Sequence, residues 1–334
     1  MAKKISIVIP AYNAEATIEA TVNSVLKQKC RSEIEVIVGD DASKDSTREI
    51  VGRLPARLVA LEKNSGAGTA RNRGAAKASG EILVFLDADV YLEPGSLQII
   101  EQFFDRHPEY SAAVGNYAVI PVDKDICSFY HNFLTLYHHD LLGKDVEWLW
   151  GALSAVRKED FDRLRGFSEA YPGASVEDLE LGYRLSEAGK KIRYLDELRG
   201  VHARKFTLGK MLYNDYHKAV LGVKLYWKMN RSGRHRHGFS SAKNGLNVAL
   251  CGLGWPALLA LFIGIPWPLI VLLALFGWLN FNFYRYIWKR SGALYLIASV
   301  PLHWVCFNTI AAGVAAGIAG LVLGKGLESK SRWI

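Results

Sequence analysis

Hydrophobic and polar positions follow two periods along the first ninety residues. The runs ISIVI (5–9), IEVIVG (34–39), ARLVAL (56–61) and EILVFLD (81–87) are short, apolar and mostly rich in β-branched residues, as buried strands are. Between them, AEATIEATVNSVLKQ (14–28) sets Ile18, Val22, Val25 and Leu26 at helical spacing. SKDSTREIVGRL opens with Ser43 or Asp45 as a helix N-cap, and AGTARNRGAAKAS (67–79) reads as a helix of small residues stopped by Gly80. Strand alternating with helix predicts an α/β fold, a mainly parallel, Rossmann-like sheet with crossover helices. Ligands of such sheets gather outside the carboxyl ends of the strands.

From about 108 to 200 the pattern is less regular. SVEDLELGYRLSEAG (175–189) predicts a helix with Val176, Leu179, Leu181 and Leu185 on its apolar side, and KIRYL (191–195) a short strand. Residues 207–230 interleave Met211, Leu212, Tyr216, Val220, Val223 and Trp227 with lysines, which predicts an amphipathic helix lying on a membrane surface or, failing that, packed on the preceding domain.

The last third changes character. Residues 246–284 and 291–324 carry no charged side chain, and Arg285, Lys289 and Arg290 lie between the two runs. A span takes about 20 apolar residues, so both runs are membrane candidates. GIPWP (264–268) supplies a turn that makes the first run a hairpin, and SVPLHWV (299–305) is a place where the second run can break. Three spans read best within a range of two to four.

Charge then changes the picture. Lys and Arg number 41 against 33 Asp and Glu, an excess of 41 − 33 = 8. Between His202 and Lys243 ten Lys/Arg face one acid, Asp215, so the rest of the chain is close to neutral. Beside apolar runs this block reads as a cytoplasmic juxtamembrane segment on an anionic membrane surface. It lacks a nucleic-acid reading module, and no nucleic-acid partner is expected. Cys30, Cys127, Cys251 and Cys306 have no metal spacing and form no disulfide framework, and MAKKISIVIP is too short in its apolar run for a signal peptide. The expectation is an inner-membrane, multi-pass protein with its N-terminal domain in the cytoplasm. Its parts are then a catalytic domain (1–205), a basic juxtamembrane segment (206–243), a membrane region (244–324) and a tail (325–334).

Candidate chemistry sits at the strand ends. Asp40 and Asp41 follow the second strand, and Asp87 and Asp89 follow the fourth, so all four can share one rim. Carboxylates one residue apart can hold a divalent cation such as Mg2+ or Mn2+, often shared with substrate phosphates.

The motifs VIPAYNAEATIEATVNSVLKQ, VGDDASKDST and NSGAGTARNRGAAKASGEILVFLDADV, in this order and spacing, resemble the family-2 glycosyltransferases of the GT-A fold over about residues 4–205. The resemblance implies a nucleotide-sugar donor, a divalent metal (Mg2+ or Mn2+) and inversion at the anomeric carbon. It implies that Pro10, Ala11, Tyr12 and Asn13 border the nucleoside and that Asp40 bonds the base. Arg71 would lie by the nucleotide, Asp87 and Ala88 near the ribose or sugar, and Asp89 on the metal. WGALSAVRKEDF (150–161) resembles the floor of the donor-sugar pocket, with Gly151, Ala152 and Arg157 matching. Trp150 there is either a sugar platform or a core side chain. EDLELGYRL resembles the family's Glu-Asp pair, which makes Asp178 the general base, with Glu177 beside it and Glu180 a weaker candidate. His202 is either a further metal ligand or structural, and Arg204 and Lys205 are candidates for the diphosphate or an acceptor phosphate.

A hydroxyl acceptor needs a base, whereas a polyprenyl phosphate is already ionised. The Glu-Asp pair therefore favours transfer to a hydroxyl of a membrane lipid or lipid-linked saccharide. The alternatives are a polyprenyl-phosphate acceptor and, more remotely, a non-catalytic nucleotide-sugar-binding membrane protein. The Gln-x-x-Arg-Trp motif expected of processive synthases is absent, since SRWI (331–334) lacks the Gln. Asp40 suits uracil, which favours UDP over GDP.

Overall fold

The computed structural model describes residues 4–141, 143–171, 176–230 and 242–323. In chain order the elements are β1 (Lys4–Ala11), α1 (Ile18–Leu26), β2 (Glu33–Asp40), α2 (Thr47–Gly52), β3 (Arg57–Ala60), α3 (Ala67–Ala75), β4 (Ile82–Leu86), β5 (Val90–Leu92), α4 (Ser96–Arg106) and β6 (Tyr110–Tyr117). There follow α5 (Ile126–Asp140), β7 (Asp145–Val146), β8 (Leu153–Arg157), α6 (Lys158–Arg163), α7 (Glu177–Glu187) and β9 (Lys191–His202). The last five are α8 (Leu208–Asn230), α9 (Ala242–Phe262), α10 (Trp267–Leu279), α11 (Phe281–Ser291) and α12 (Ala293–Val322). The described residues form two compact units: one runs to Asp123 and resumes over His139–Arg204, and the other takes Lys124–His138 and runs on from Lys205 through α12.

The first unit is built on one mixed sheet in the order β3-β2-β1-β4-β8-β6-β9-β5, with β7 paired to β9. The pairings give β1, β2, β3, β4, β6 and β9 one direction and β5, β7 and β8 the other, so the sheet is mainly parallel. Its centre is dry: every residue of β4 is buried. The small-residue helix α3 exists for close approach. A Cβ on Gly39 of β2 would sit 2.4 Å from the Ala70 carbonyl oxygen, and one on Gly74 2.6 Å from Val8 Cγ1. Only hydrogen at those positions lets α3 lie directly on β1 and β2.

β9 runs well past the KIRYL segment. Its second half carries Asp196, Glu197 and Arg199, which have a loop's composition, but after a bulge it pairs Arg199 and Gly200 with the end of β6 and His202 with Val90 of β5. This extension carries His202 to the strand-end rim.

In the second unit Tyr130, Phe133, Met211, Phe283 and Cys306 share a core. α8 lies along α12: a Cβ at Gly313 would meet the Tyr216 carbonyl oxygen at 2.5 Å, and one at Gly317 the Val220 carbonyl oxygen at 3.1 Å. The amphipathic 207–230 helix thus has a helix partner on one side, while Tyr226 and Trp227 stay exposed. α9 and α12 contain stretches long and apolar enough to cross a membrane, Lys243–Phe262 and Ala293–Val322. α12 is unbroken through Pro301, so the break expected at 299–305 does not occur. In an apolar stretch a continuous helix loses one hydrogen bond to proline, whereas a break exposes several peptide groups. α10 has 13 residues and turns by 59° into α11, and the two reach span length only as a pair. At the bend Asn280 exchanges amide hydrogen bonds with Asn247 of α9, at 2.8 and 3.1 Å, and both are buried. Most of the basic block beyond 230 and the tail (325–334) lie outside the described residues.

Candidate active site

The carboxyl ends of β1 and β2 continue into loops that are stitched together. Asn13 N–H donates to Ser43 Oγ at 3.0 Å, and Lys44 N–H returns a bond to Asn13 Oδ1 at 2.9 Å. Ala14 N–H reaches Thr47 Oγ1 at 2.8 Å, and Glu15 N–H reaches Asp45 Oδ2 at 3.0 Å. Two residues pass through the left-handed region to permit this, Asn13 (φ 49°) and Ala42 (φ 63°). Alanine there is costly, a strain of the kind stored at functional rims. Pro10 and Ala11 lead into this rim, and Tyr12 stands exposed on it.

Asp40, at the end of β2, has no exposed surface. Its Oδ2 accepts from Ser43 N–H at 3.1 Å and from Arg48 Nε, while Oδ1 is buried with no hydrogen-bond partner among the described residues. Arg48 gave no signal in the sequence, yet it decides which oxygen of Asp40 remains available. Asp41 serves the fold: its two oxygens accept from Ser65 and Gly66 N–H at 2.7 and 2.8 Å and fix the entry to α3. Burial raises its carboxyl above the usual range.

One buried guanidinium organises the centre. Arg71 donates through Nη2 to Asp87 Oδ1 and through Nη1 to Glu177 Oε1, both at 2.7 Å. Burial alone would lower its pKa, but Asp87, Glu177 and Asp178 together hold it above the ordinary value. A Cβ on Gly151 would fall 2.6 Å from Arg71 Nη2, so the guanidinium lies against the bare glycine backbone. Gly151 N–H in turn donates to Asp178 Oδ2 at 2.8 Å. Asp178 sits in the first turn of α7, where helix dipoles favour acids. Even so, burial and then the Glu177 charge push its carboxyl up to about 6, against the opposing pull of Gly151 N–H and Arg71. Glu180 is turned away from this cluster: Arg184 holds it, with Nε to Oε2 at 2.9 Å.

The third group lies where β5 meets β9. Ala203 N–H donates to the Asp89 carbonyl at 2.8 Å, and Val90 is paired with His202, so Asp89 and His202 are neighbours across this ladder. The His202 ring is buried and stacks on Tyr117, with centroids 4.3 Å apart. Trp150 meets the same tyrosine edge-on at 4.5 Å and His139 at 4.8 Å, so it is packed into an aromatic tier and only half-buried. Burial, and next the Asp87 charge, raise the Asp89 carboxyl to about 6, and the exposed Arg204 pulls it back. Ala88 between the two carboxylates is buried, and its carbonyl accepts from Thr21 Oγ1 at 2.7 Å, which fixes the turn. Lys205 belongs to the second unit.

Arg157 departs from its expected place on the pocket floor. It pairs with Ile82 at the opposite end of β4, and its guanidinium donates to the Tyr110 and Phe104 carbonyls at 2.8 and 3.2 Å. Tyr117, which links His202 to Trp150, was invisible in the sequence because a lone Tyr in a buried strand has no distinguishing pattern.

Residues 6–165 match the model of Glycosyl transferase family 2. A validoxylamine A glucosyltransferase of Streptomyces hygroscopicus subsp. limoneus is 29% identical over 232 residues, 60% of this chain and 51% of that protein. A poly(ribitol-phosphate) beta-N-acetylglucosaminyltransferase of Staphylococcus aureus is 38% identical over 110 residues, 31% of this chain and 19% of that one. The chain spans about half the length of the validoxylamine relative. Among solved structures, a mannosyltransferase of Pyrobaculum calidifontis, in complex with GDP-Man and Mn2+, superposes with a TM-score of 0.60 at 19% identity, covering 97% of this chain and 88% of that one. Residues 6–165 therefore form a family-2 glycosyltransferase domain of GT-A fold.

Proposed function

We propose that the protein transfers a sugar, with inversion, from a UDP-sugar to a hydroxyl of a membrane lipid or lipid-linked saccharide at the cytoplasmic face of the membrane. The observation that carries this reading is the bond between Asp178 and Gly151, joined through Arg71 to Asp87. The bond holds a carboxylate on the candidate sugar-pocket floor, while burial and the Glu177 charge raise its basicity. That suits a general base, whose pKa works best near the operating pH. Asp178 would take the proton of the acceptor hydroxyl as its oxygen attacks the anomeric carbon. The glycosidic electron pair would leave with the nucleoside diphosphate.

The buried Oδ1 of Asp40, without a partner among the described residues, supports a uracil base. With Oδ2 engaged by Arg48 and Ser43, one acceptor remains, which matches the single ring N–H of uracil better than the two adjacent donors of guanine. Pro10, Ala11, Tyr12 and Asn13 would frame the nucleoside, and Asp87 with Ala88 would face the ribose or sugar.

Among the described residues no three His, Cys, Asp or Glu side chains are gathered to hold a metal by themselves. Asp89 and His202 offer an oxygen and an imidazole donor, a set that fits Mg2+ or Mn2+ completed by diphosphate oxygens. A divalent ion there supplies Lewis-acid compensation for charge developing on the leaving diphosphate. Arg204, close enough to stabilise Asp89 ionised, would add positive charge on the same side. The apolar helices α9 and α12 support a membrane-borne acceptor.

The test is an extraction assay. Purified full-length protein, Mn2+, labelled nucleotide sugars and a native lipid extract are incubated, and label in the organic phase is counted. An acid-stable labelled lipid, lost in Asp178→Asn, is the expected outcome. An acid-labile product that survives Asp178→Asn would mean a polyprenyl-phosphate acceptor and would overturn the base assignment.

A further inference from the structure

Arg71 is a buried cation pinned between two carboxylates. It is 2% exposed, contacts two carboxylates at 2.7 Å through different nitrogens, and faces Phe167 with its Cζ 5.4 Å from the ring centroid. Its Nε is buried without a hydrogen-bond partner among the described residues. A side chain that leaves one donor unsatisfied in order to place two others is fixed by those two. The carboxylates it joins come from distant parts of the chain: Asp87 follows β4, and Glu177 opens α7. Between them the guanidinium plane lies against Gly151, whose N–H holds Asp178.

We infer that Arg71 is a positioning residue that ties the donor side of the site to the base side, gripping Asp87 with one terminal nitrogen and Glu177 with the other so that Asp178 stays bonded to the floor glycine. This goes beyond a placement near the nucleotide, and it rests on the reading of Asp178 as the base. A planar fork holds two carboxylates at a fixed separation, whereas a lysine's rotatable ammonium does not fix that separation. The groups whose charge Asp178 feels are Glu177 on its own helix and Arg71 on α3. Arg71 also carries Asp87 on its other nitrogen, while Glu180 is occupied by Arg184. Without Arg71, the buried Glu177 would remain beside Asp178 with its cation gone. Two like charges would then compete for one site, and the base would hold its proton to higher pH.

The test is the pH profile of kcat/KM in the full-length protein. In Arg71→Met the acid limb should move up by about one pH unit or more. Glu177→Gln added to Arg71→Met should return it towards the wild-type position, because the second negative charge beside Asp178 is removed. Arg71→Lys, which keeps the charge but loses the fork, should lower kcat roughly 100-fold at the optimum through misplacement and shift the limb less than Arg71→Met does. If Arg71→Met alone does not fold, the Arg71→Met/Glu177→Gln pair and Arg71→Lys carry the comparison. A uniform loss of activity with the acid limb unmoved in every Arg71 variant would reduce Arg71 to packing and sink the inference. Wild-type turnover in Asp178→Asn would instead overturn the base reading, and the positioning role with it. An inactive Asp178→Asn alongside an unmoved limb would overturn the positioning role alone.

Discussion

Gly151 and Asp178 are joined by a 2.8 Å hydrogen bond from the glycine main-chain N–H to Oδ2, so the candidate pocket floor and the proposed base move as one piece. The bond favours the ionised carboxylate, yet burial and Glu177 outweigh it and push the group up to about 6. A base works only when ionised, so activity should be flat above about pH 7 and fall tenfold per unit below about pH 6. Asp178→Asn should abolish turnover while UDP binding, read by calorimetry, stays within a few-fold. A flat profile down to pH 5 would contradict this assignment.

Gly151→Ala tests the same floor sterically. The new methyl would lie 2.6 Å from Arg71 Nη2 and 2.9 Å from Cζ. The guanidinium cannot yield without releasing Asp87 or Glu177, so kcat should drop roughly 100-fold with little change in the far-UV circular dichroism. Near-wild-type kcat would show that the guanidinium has room to move.

Asp40 offers one free oxygen by virtue of Arg48. In Asp40→Asn the amide would keep its carbonyl towards Arg48 and turn its NH2 to the open side, donor against donor. A lost hydrogen bond to a charged acceptor costs about 1.5–3 kcal/mol, so UDP inhibition should weaken about 10- to 100-fold. Arg48→Met, which leaves the second oxygen held by Ser43 N–H alone, should narrow the preference for UDP over GDP in competition assays. Unchanged inhibition by both nucleotides in both variants would remove Asp40 from base recognition.

Metal dependence is checked at His202. Chelation should abolish transfer, and Mn2+ should restore it. His202→Ala should raise the Mn2+ concentration for half-maximal activity by roughly 10- to 100-fold, the range typical when a metal site loses a ligand or its support. His202→Asn, which keeps a polar atom there but loses the stack on Tyr117, should fall between. Identical Mn2+ curves for all three would make His202 a purely packed side chain.

Much of this site was legible in the sequence because strand ends announce themselves. Asp40, Asp87 and Asp89 follow unbroken apolar runs, and a parallel sheet sends such ends to one rim. The Glu-Asp pair was legible as a motif, but its contact with Gly151 was not, since it depends on α7 lying against a segment 27 residues earlier in the chain. The second half of β9 was misleading, because Asp196, Glu197 and Arg199 look like loop residues until the ladders to β5 and β6 supply partners. Arg157 illustrates the opposite failure. A motif match put it at the floor, whereas an antiparallel β8 carries its two ends to opposite edges of the sheet. In the second unit the uncharged runs marked α9 and α12, but the bend at Asn280 rests on a buried amide pair that no hydropathy pattern reveals.

Gly182 sets how closely α7 can approach the floor. A Cβ there would lie 2.3 Å from Leu149 N and 2.5 Å from the Trp148 carbonyl carbon, both main-chain atoms that no rotamer change can move. Gly182→Ala must therefore lift α7, and with it Glu177 and Asp178, away from 148–151. Overpacking of this kind costs about 1–3 kcal/mol, a fall in Tm of roughly 2–12 °C for a unit of this size. The displacement also stretches the Gly151–Asp178 bond, so kcat should fall even well below the new Tm, whereas the donor KM, which the proposed nucleoside frame of the β1 and β2 loops would govern, should change little. The neighbouring Leu181→Val, which trims a buried side chain without forcing the helix outward, should lower Tm comparably and leave kcat nearly intact. Equal kcat in the two variants at 20 °C would separate α7 from the chemistry and assign it to stability alone.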